Sequence, residues 1–255
     1  MRNIAVSIVG RTYGEIIEHV TRVMSKVTEV EAEYKDTDIR VGILEFRADY
    51  YEKVTEKTEL LELLGEVRRI VGDRQLLFTY RSEEEGGEFR HDRAGFMLPD
   101  IYDWVITSRL VDMVDIELMS GNYRVARYAA KAHDAGLKTV LSYHNFEMTP
   151  RDEKILDMME SMETLGGDIL KIAVTPNKEF DVRRMIELED KLIAGGYKDY
   201  RITKPVVIIS MGDMGKESRL HLGDKGSLFT FAYVGEESAP GQIELGDIFK
   251  KLAKC

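Results

Sequence analysis

One lysine of this sequence stands where a charged side chain is costly. Lys171 is flanked on both sides by apolar residues, which predicts that it is buried in a strand. Burial disfavours the ammonium form and lowers the pKa of a lysine, and positive charge from Arg47 or Arg81 lowers it further. Such an amine is a nucleophile that forms an imine with a carbonyl carbon. The alternative is a structural ion pair with Glu45 or Glu117.

A histidine with a carboxylate partner is predicted near this lysine. His144 ends the preceding apolar run, and the ordinary pKa of histidine suits proton transfer. Glu85, in the loop 83–88, is placed to orient it. No HxH or HExxH spacing is present, so we predict no metal site. Four further histidines are interpreted as ordinary surface residues: His19, His91, His133 and His221.

Three arginines point to the charge of the ligand. Arg47, Arg81 and Arg219 are expected at the mouth of one cavity in a chain whose formal net charge is -10. This favours a small anionic substrate, best matched by a carboxylate that accepts paired hydrogen bonds. A phosphate stays an alternative, although no P-loop or dinucleotide motif is present. The negative net charge argues against nucleic acid or an anionic membrane as the partner.

The elements that position these residues are short apolar runs that alternate with amphipathic stretches. We predict strands over Ile4–Val9, Val41–Arg47, Gln75–Arg81, Met113–Leu118, Thr139–His144, Ile169–Val174, Val206–Met211 and Leu228–Tyr233. We predict helices over Tyr13–Val30, Thr58–Val71, Asp100–Leu110, Asn122–Ala135, Arg151–Leu165, Glu179–Ala194 and Leu245–Lys254, with one further helical pattern at Lys216–Leu222.

Strands that alternate with helices predict a parallel sheet covered on both faces. The fold is then either a closed (β/α)₈ barrel or an open doubly wound sheet. The turn after the first strand lacks the glycine fingerprint of a dinucleotide-binding sheet, and the count of eight favours the barrel. No linker divides the chain, so we expect one catalytic domain over residues 1–255. Without a signal-like segment or a long apolar run, a cytoplasmic location is expected.

Period-two alternation places polar side chains on one face of most strands, toward the carboxyl ends where barrel enzymes hold their catalytic groups. These residues are Ser7, Glu45, Arg47, Asp49, Thr79, Arg81, Asp115, Glu117, Ser142, His144 and Lys171. A parallel sheet has no solvent-exposed face on which to leave them. The pattern therefore indicates a functional site more than a set of separate ion pairs.

Several segments, in family order, resemble type I 3-dehydroquinate dehydratase. They span nearly the whole chain: 45–49 (EFRAD), 77–82 (LFTYRS) with 85–88 (EGGE), 114–118 (VDIEL), 142–146 (SYHNF), 171–173 (KIA), 210–212 (SMG) through 218–220 (SRL), and 238–242 (SAPGQ). The resemblance implies a closed barrel that dehydrates 3-dehydroquinate to 3-dehydroshikimate in the shikimate pathway.

The resemblance also implies roles for individual residues. Lys171 forms a Schiff base with the substrate ketone, His144 acts as general base and then general acid, and Glu85 holds His144. The remaining site residues bind the hydroxyls and carboxylate of the substrate or line its pocket: Ser7, Glu45, Arg47, Arg81, Met211, Arg219, Phe231, Ser238 and Gln242. The segment 238–242 acts as a lid that excludes water. No cofactor or metal is implied.

Two positions depart from the family pattern. Asn145 stands where many relatives have Asp after the catalytic histidine, which changes the local hydrogen bonding. Phe46 stands where Trp is common, a change we expect to be neutral. Many bacterial relatives also have extra N-terminal residues, so we expect a more open barrel floor here, or one covered by a partner subunit.

Two other functions share some of these features. A class I aldolase would share Lys171 and the fold but would cleave a carbon–carbon bond. A barrel that binds an anionic metabolite or a protein without turnover would gain nothing from a desolvated lysine near a histidine. The family is often dimeric, so a homodimer is expected. Four apolar residues of the later helices suit either an interface or, as we favour, packing against the barrel: Met158, Met159, Met162 and Leu188.

Overall fold

The computed structural model describes residues 1–88, 94–197, 199–223 and 226–254. The strands are β1 (Arg2–Ile8), β2 (Ile39–Arg47), β3 (Gln75–Thr79), β4 (Met113–Glu117), β5 (Lys138–Asn145), β6 (Ile169–Val174), β7 (Val206–Ser210), β8 (Phe229–Tyr233) and β9 (Ile243–Glu244). The α-helices are α1 (Tyr13–Glu33), α2 (Lys57–Val71), α3 (Ala94–Ser108), α4 (Asn122–Asp134), α5 (Asp152–Thr164), α6 (Glu179–Ile193) and α7 (Leu245–Leu252).

The eight predicted strands and seven predicted helices are present, with shifts at their ends. Strand β6 has the predicted bounds, whereas helix α3 begins at Ala94 instead of Asp100 and so includes Pro99. The pattern at Lys216–Leu222 belongs to a 3₁₀ helix, Asp213–Leu220. Strand β9, which has only two residues, was not predicted. A run this short carries no alternation by which a sequence pattern reveals a strand.

A capping box formed by Thr12 and Glu15 begins helix α1. The Thr12 hydroxyl accepts a hydrogen bond from the Glu15 backbone N–H at 3.3 Å, and the Glu15 carboxylate accepts from the Thr12 N–H at 3.4 Å. This reciprocal pair satisfies backbone donors that the first helical turn leaves free. The helix therefore begins immediately after β1 and can return the chain along the sheet.

All strand pairings are parallel, and the sheet has the order β7-β6-β5-β4-β3-β2-β1-β8-β9. In the pairing of β5 with β6, Ser142 lies opposite Lys171 and His144 opposite Ala173. The parallel arrangement brings the carboxyl ends of the strands to the same edge of the sheet. The polar residues predicted at those ends are thereby gathered on one side of the molecule.

The prediction of a closed eight-stranded barrel is wrong for this structure, because the described part of β7 forms no ladder with β8. Hydroxyl groups occupy the amides along this edge of β7 instead. The Ile208 N–H donates to Ser227 Oγ at 2.8 Å, and the Ser210 N–H donates to Ser218 Oγ at 2.9 Å. Leu228, the residue before β8, donates one backbone hydrogen bond to the Val206 carbonyl of β7 at 2.9 Å. The sheet is a curled parallel sheet of nine strands.

Two apolar layers fix the direction in which each strand presents its side chains. The larger layer lies between the strands and the helices. It buries Met158, Met159 and Met162 of α5 and Leu188 of α6, in agreement with the prediction that they pack inside the fold. The smaller layer includes Ile43 of β2 and Ile169 of β6. Glu45 and Lys171 follow these residues by two positions, so they share the same inner face. The predicted alternation is confirmed.

Two further predictions concern the outside of the fold. His19 is not a surface residue: it is buried, and its ring nitrogens contact the carbonyl oxygens of Val9 and Val234, each at 2.9 Å. His133 and His221 are at least partly exposed, and His91 lies outside the described residues. Among the described residues, no helix is both long and apolar enough to cross a membrane.

Candidate active site

A pocket opens at the carboxyl ends of the strands. Eleven of the twelve predicted site residues line it: Glu45, Arg47, Arg81, Glu85, His144, Lys171, Met211, Arg219, Phe231, Ser238 and Gln242. The twelfth, Ser7, donates a hydrogen bond from its hydroxyl to the Glu45 carboxylate at 2.7 Å. The structure thus brings together residues that are separated by up to 235 positions in the sequence.

Lys171 is buried at the centre of this pocket, with 5% of its surface exposed. Its Nζ lies 3.4 Å from Oδ2 of Asp115 and 4.6 Å from the centre of the Phe231 ring. Burial lowers the pKa of Lys171, and the positive charges of Arg81 and Arg47 act in the same direction, although Asp115 opposes them. A lowered pKa increases the fraction of free amine, the form that attacks a carbonyl carbon.

The Arg81 guanidinium forms ion pairs with three acidic residues. Its guanidinium donates to Asp115 Oδ1 at 2.8 Å, to Glu117 Oε1 at 3.0 Å and to Glu85 Oε2 at 3.4 Å. A further donation reaches the Ser142 hydroxyl at 3.0 Å. With so many partners, this side chain has little freedom to rearrange. It fixes the relative positions of strands β4 and β5 and of the turn that carries Glu85.

His144 and Glu85 form a buried pair. Nδ1 of His144 lies 2.8 Å from Glu85 Oε2, and that oxygen also accepts the His144 backbone N–H at 3.1 Å. Burial raises the pKa of Glu85. Burial, together with the positive charges of Arg81, Lys171 and Arg47, lowers the pKa of His144 well below its usual value. A neutral His144 that donates through Nδ1 keeps a lone pair on Nε2, which is the form a general base requires.

The Glu85 turn depends on a glycine that no other residue replaces without strain. Glu85 ends a 3₁₀ turn, and Gly86 follows in the left-handed region with φ +83°. A methyl group at Gly86 would lie 2.3 Å from Cζ of Phe146. The Phe146 ring therefore packs directly on this turn. Its place in the pocket lining was not predicted, because a half-exposed aromatic in a loop carries no periodic signal.

The segment 238–242 lines the pocket and is held there by hydrogen bonds. The Ser238 hydroxyl donates to the Ser7 hydroxyl at 2.8 Å, and the Ser238 backbone N–H donates to the Gln242 side-chain oxygen at 2.9 Å. Arg47 donates to the Ser238 carbonyl at 2.9 Å, and Arg219 donates to the Pro240 carbonyl at 3.0 Å. Two of the predicted ligand-binding arginines are therefore also contacts of the predicted lid.

The three arginines differ in how far their charge is already neutralised. Arg47 forms a bidentate ion pair with Asp49, with both distances 2.8 Å, and Arg81 has the carboxylate partners described above. In the described ranges, no ion pair joins Arg219 to a carboxylate, and its Nε has no hydrogen-bond partner. Arg219 is 2% exposed, and burial lowers its pKa to about 10. Such a cation is suited to bind an anionic group that enters the pocket.

Asn145, the departure from the family pattern, makes three local hydrogen bonds through its side chain. Its side-chain oxygen accepts from the backbone N–H groups of Glu147 and Met148, both at 2.9 Å, and its amide donates to the Tyr143 hydroxyl at 3.0 Å. An aspartate would keep the acceptor but lose the amide donor. The residue shapes the loop that carries Phe146, and it has no contact with Lys171 among these hydrogen bonds.

Comparisons with known proteins agree with this architecture. The family model described as type I 3-dehydroquinase matches residues 4–253. The chain is similar to 3-dehydroquinate dehydratase of Salmonella typhimurium, with 36% identity over 229 residues, covering 87% of this chain and 86% of the relative.

Solved structures are similar over almost the full length. The type I 3-dehydroquinate dehydratase of Clostridium difficile, solved with covalently modified comenic acid, has a TM-score of 0.83 and 33% identity, covering 98% of this chain and 90% of the other. The 3-dehydroquinate dehydratase of Geobacillus kaustophilus has a TM-score of 0.85 and 28% identity, covering 100% and 91%.

Proposed function

The chain belongs to the type I 3-dehydroquinase family, and from that premise we propose that it is a hydro-lyase that converts 3-dehydroquinate to 3-dehydroshikimate and water through an imine on Lys171. One observation carries the proposal. A buried lysine with a lowered pKa shares a pocket with His144 and with Arg219, which forms no ion pair with a carboxylate in the part of the chain that the structure describes. These groups supply a nucleophile, a base and an anion site.

The imine is the electron sink of the reaction. The free amine of Lys171 attacks the substrate ketone, a C–N bond forms, and the ketone oxygen leaves as water. In the protonated imine, the nitrogen draws electrons from the adjacent carbon and makes its proton easier to remove. His144 takes that proton, and the same proton then leaves with the departing hydroxyl as water. Hydrolysis of the imine releases the product.

The roles of the binding residues are part of the proposal. Arg219 binds the substrate carboxylate, which supplies the ion-pair partner that Arg219 lacks among the described residues. The network of Ser7, Glu45, Ser238 and Gln242 offers hydroxyl, carboxylate and amide groups to the substrate hydroxyls. The remaining contacts with the ligand come from Arg47, Arg81, Met211 and Phe231. Glu85 orients His144.

Carbon–carbon cleavage by an aldolase is not favoured. That reaction would use Lys171 in the same way, but the family match covers nearly the whole chain, and the His144–Glu85 pair fits proton removal and the loss of water. We also propose that residues 1–255 form a single catalytic domain, supported by the one sheet that runs from β1 to β9. The homodimer and the cytoplasmic location stay predictions.

Borohydride trapping tests the function directly. The protein is incubated with 3-dehydroquinate, reduced with sodium borohydride, digested and mapped by mass spectrometry. We expect the reduced adduct on the peptide that contains Lys171, and none in a Lys171→Arg variant. Lys138→Arg, at an exposed position on β5, is the matched control and should trap as the unchanged protein does. An adduct on another lysine, or none at all, overturns the proposal.

A further inference from the structure

We propose that Asp115 is the counter-ion of the Lys171 amine and of the cationic imine formed on it. Asp115 is then a positioning residue that acts through Lys171 without itself accepting a substrate proton. The inference rests on the proposed function, since it concerns the imine of that reaction. Imine formation by itself requires only the amine. The proposal adds that a fixed negative charge must lie beside the nitrogen.

The two carboxylate oxygens of Asp115 are divided between structural partners and the lysine. Oδ1 accepts hydrogen bonds from the Ser142 hydroxyl at 2.6 Å and from Arg81 at 2.8 Å. Oδ2 lies 3.4 Å from Lys171 Nζ. Asp115 is fully buried, so water cannot screen the interaction as it would at the surface. Ser142 and Arg81 hold the carboxylate in place, and its second oxygen faces the amine.

The other charged groups around Lys171 are occupied elsewhere. On β2, the Glu45 oxygens accept from the hydroxyls of Ser7 and Thr79, at 2.7 and 2.9 Å. The other ionisable groups that line this pocket are Arg47 on β2, Arg81 after β3, Glu85, His144 on β5 and Arg219 after β7. In the described ranges, Asp115 is the one carboxylate that forms an ion pair with Lys171.

Asp115 stays ionised although it is buried. Burial alone opposes its charge, but Arg81 and Lys171 stabilise the carboxylate and hold its pKa below the usual value. The negative charge is therefore present throughout the neutral pH range. Because Asp115 also opposes the lowering of the Lys171 pKa, it keeps the amine from losing its proton at too low a pH.

The charge matters most after the C–N bond has formed. The imine nitrogen must be protonated to draw electrons from the neighbouring carbon, and a negative charge 3.4 Å from the nitrogen favours that protonated form. When His144 removes the carbon-bound proton, the electron pair moves toward nitrogen and the cation becomes a neutral enamine. Loss of the hydroxyl as water restores the cationic imine. Asp115 thus stabilises the charge before and after elimination.

The test is Asp115→Asn, measured by borohydride trapping and by turnover between pH 5 and 9. Removing the negative charge lowers the pKa of Lys171, so the acidic limb of the trapping profile should move down by about one pH unit or more. Turnover at neutral pH should fall by roughly tenfold to a hundredfold, because the cationic imine loses its counter-ion. A disrupted pocket would lose both trapping and turnover. Trapping that persists while turnover falls therefore points to the loss of the charge and not to disruption of the pocket.

Glu117→Gln is the matched control, because Glu117 lies on the same strand, is largely buried and accepts from Arg81 at 3.0 Å but forms no ion pair with Lys171. Its trapping profile should keep the original position on the pH axis. If both variants shift equally, or if Asp115→Asn leaves the profile unchanged, the inference is overturned.

A second variant serves if Asp115→Asn does not fold. Asp115→Glu retains the charge, so its profile should stay within about half a pH unit of the original, and a full-unit downward shift would contradict the counter-ion role. The unchanged protein separates this inference from the proposed function. Failure of its own trapping on Lys171 removes both, whereas normal trapping with no effect of Asp115 removes only the inference.

Discussion

At the scale of single residues, the site consists of charges whose protonation is set by burial and by their neighbours. Desolvation lowers the pKa of His144, and the positive charges of Arg81 and Lys171 lower it further. A histidine that stays neutral can accept a proton from carbon, and its Nδ1–H is already engaged with Glu85. In the proposed mechanism, His144 therefore needs no change of hydrogen-bond partner before it acts as the base, which avoids a cost of rearrangement during the reaction.

Replacement of His144 by alanine separates imine formation from proton removal. Borohydride trapping on Lys171 should persist, because the amine and its counter-ion are intact. Turnover should fall by roughly a hundredfold or more, the usual contribution of a positioned general base. The control is His133→Ala, a partly exposed histidine on α4 paired with Asp168, which should leave turnover unchanged. Near-normal turnover of the His144 variant would show that another group removes the proton.

The sequence pattern predicted which residues share the site but only part of their pairing. Alternation along single strands placed Lys171, Glu45 and Asp115 on inner faces, and the structure agrees. It left Glu45 or Glu117 as partners of Lys171, whereas the contact is with Asp115. The difference arises because β5 lies between β4 and β6, so the contact depends on register and side-chain length across two strand pairings. One strand's periodicity does not contain that information.

At the scale of elements, the sequence predicted a closed barrel, and the structure differs from that prediction at the edge between β7 and β8. Alternating strands and helices predict eight parallel strands, and all eight are present, although the two-residue strand β9 adds a ninth. Closure depends on whether backbone amides of β7 meet carbonyls of β8, and here the hydroxyls of Ser227 and Ser218 take those amides. Serine is common in loops, so neither residue signals this role in advance.

Glu189, a buried glutamate of helix α6, contacts Ser227 at this edge of β7. Ser227 Oγ accepts from the Ile208 N–H and donates to Glu189 Oε1 of helix α6 at 2.6 Å. His221 Nε2 lies 3.9 Å from the other Glu189 oxygen. Burial raises the pKa of Glu189 to about 8 from its usual value of 4.5. The fold therefore favours the protonated acid, and ionisation in the unfolded chain destabilises the folded state.

The sign of the effect on stability follows from this shift. Below pH 4.5 Glu189 is protonated in both the folded and the unfolded states, and its contribution to stability is fully present. Between pH 4.5 and about 8 only the unfolded state ionises, and the free energy of unfolding decreases by at most about 1.4 kcal/mol per pH unit. Above pH 8 both states are ionised and no further loss occurs.

Glu189→Gln removes this dependence while keeping an oxygen that accepts from Ser227. The variant should gain stability relative to the unchanged protein as the pH rises from 5 to 8, and little difference should remain near pH 4.5. Urea unfolding at several pH values measures the difference. Glu187→Gln, an exposed position on the same helix, is the control and should give a difference independent of pH. A pH-independent difference for Glu189→Gln would refute the assignment of the shift.

At the scale of the whole molecule, the pocket is a meeting point of distant parts of the chain. The residues that line it come from strands β2, β5, β6, β7 and β8, from the segments that follow β3, β5 and β7, and from the segment 238–242. A ligand held by these groups binds only the folded state. Its binding must therefore stabilise the fold as a unit, by an amount set by its concentration and affinity.

Quinate, in which a hydroxyl replaces the ketone of 3-dehydroquinate, tests this coupling without chemistry on Lys171. At a concentration of 100 times its Kd, it should add about 2.7 kcal/mol to the free energy of unfolding and raise the Tm by roughly 5–10 °C. In Arg219→Gln, the same concentration should raise the Tm far less, because the carboxylate loses the one pocket arginine whose charge is not already paired within the described residues.

The matched control is Arg69→Gln, an exposed arginine on α2 that pairs with Glu66 and does not line the pocket. Its Tm should rise with quinate as that of the unchanged protein does. An equal rise in Arg219→Gln would mean that Arg47 or Arg81 exchanges its internal carboxylate for the ligand. Separating either buried ion pair costs several kcal/mol, so we expect the opposite. The ligand carboxylate should bind at Arg219, a buried cation that has no ion pair with a carboxylate among the described residues.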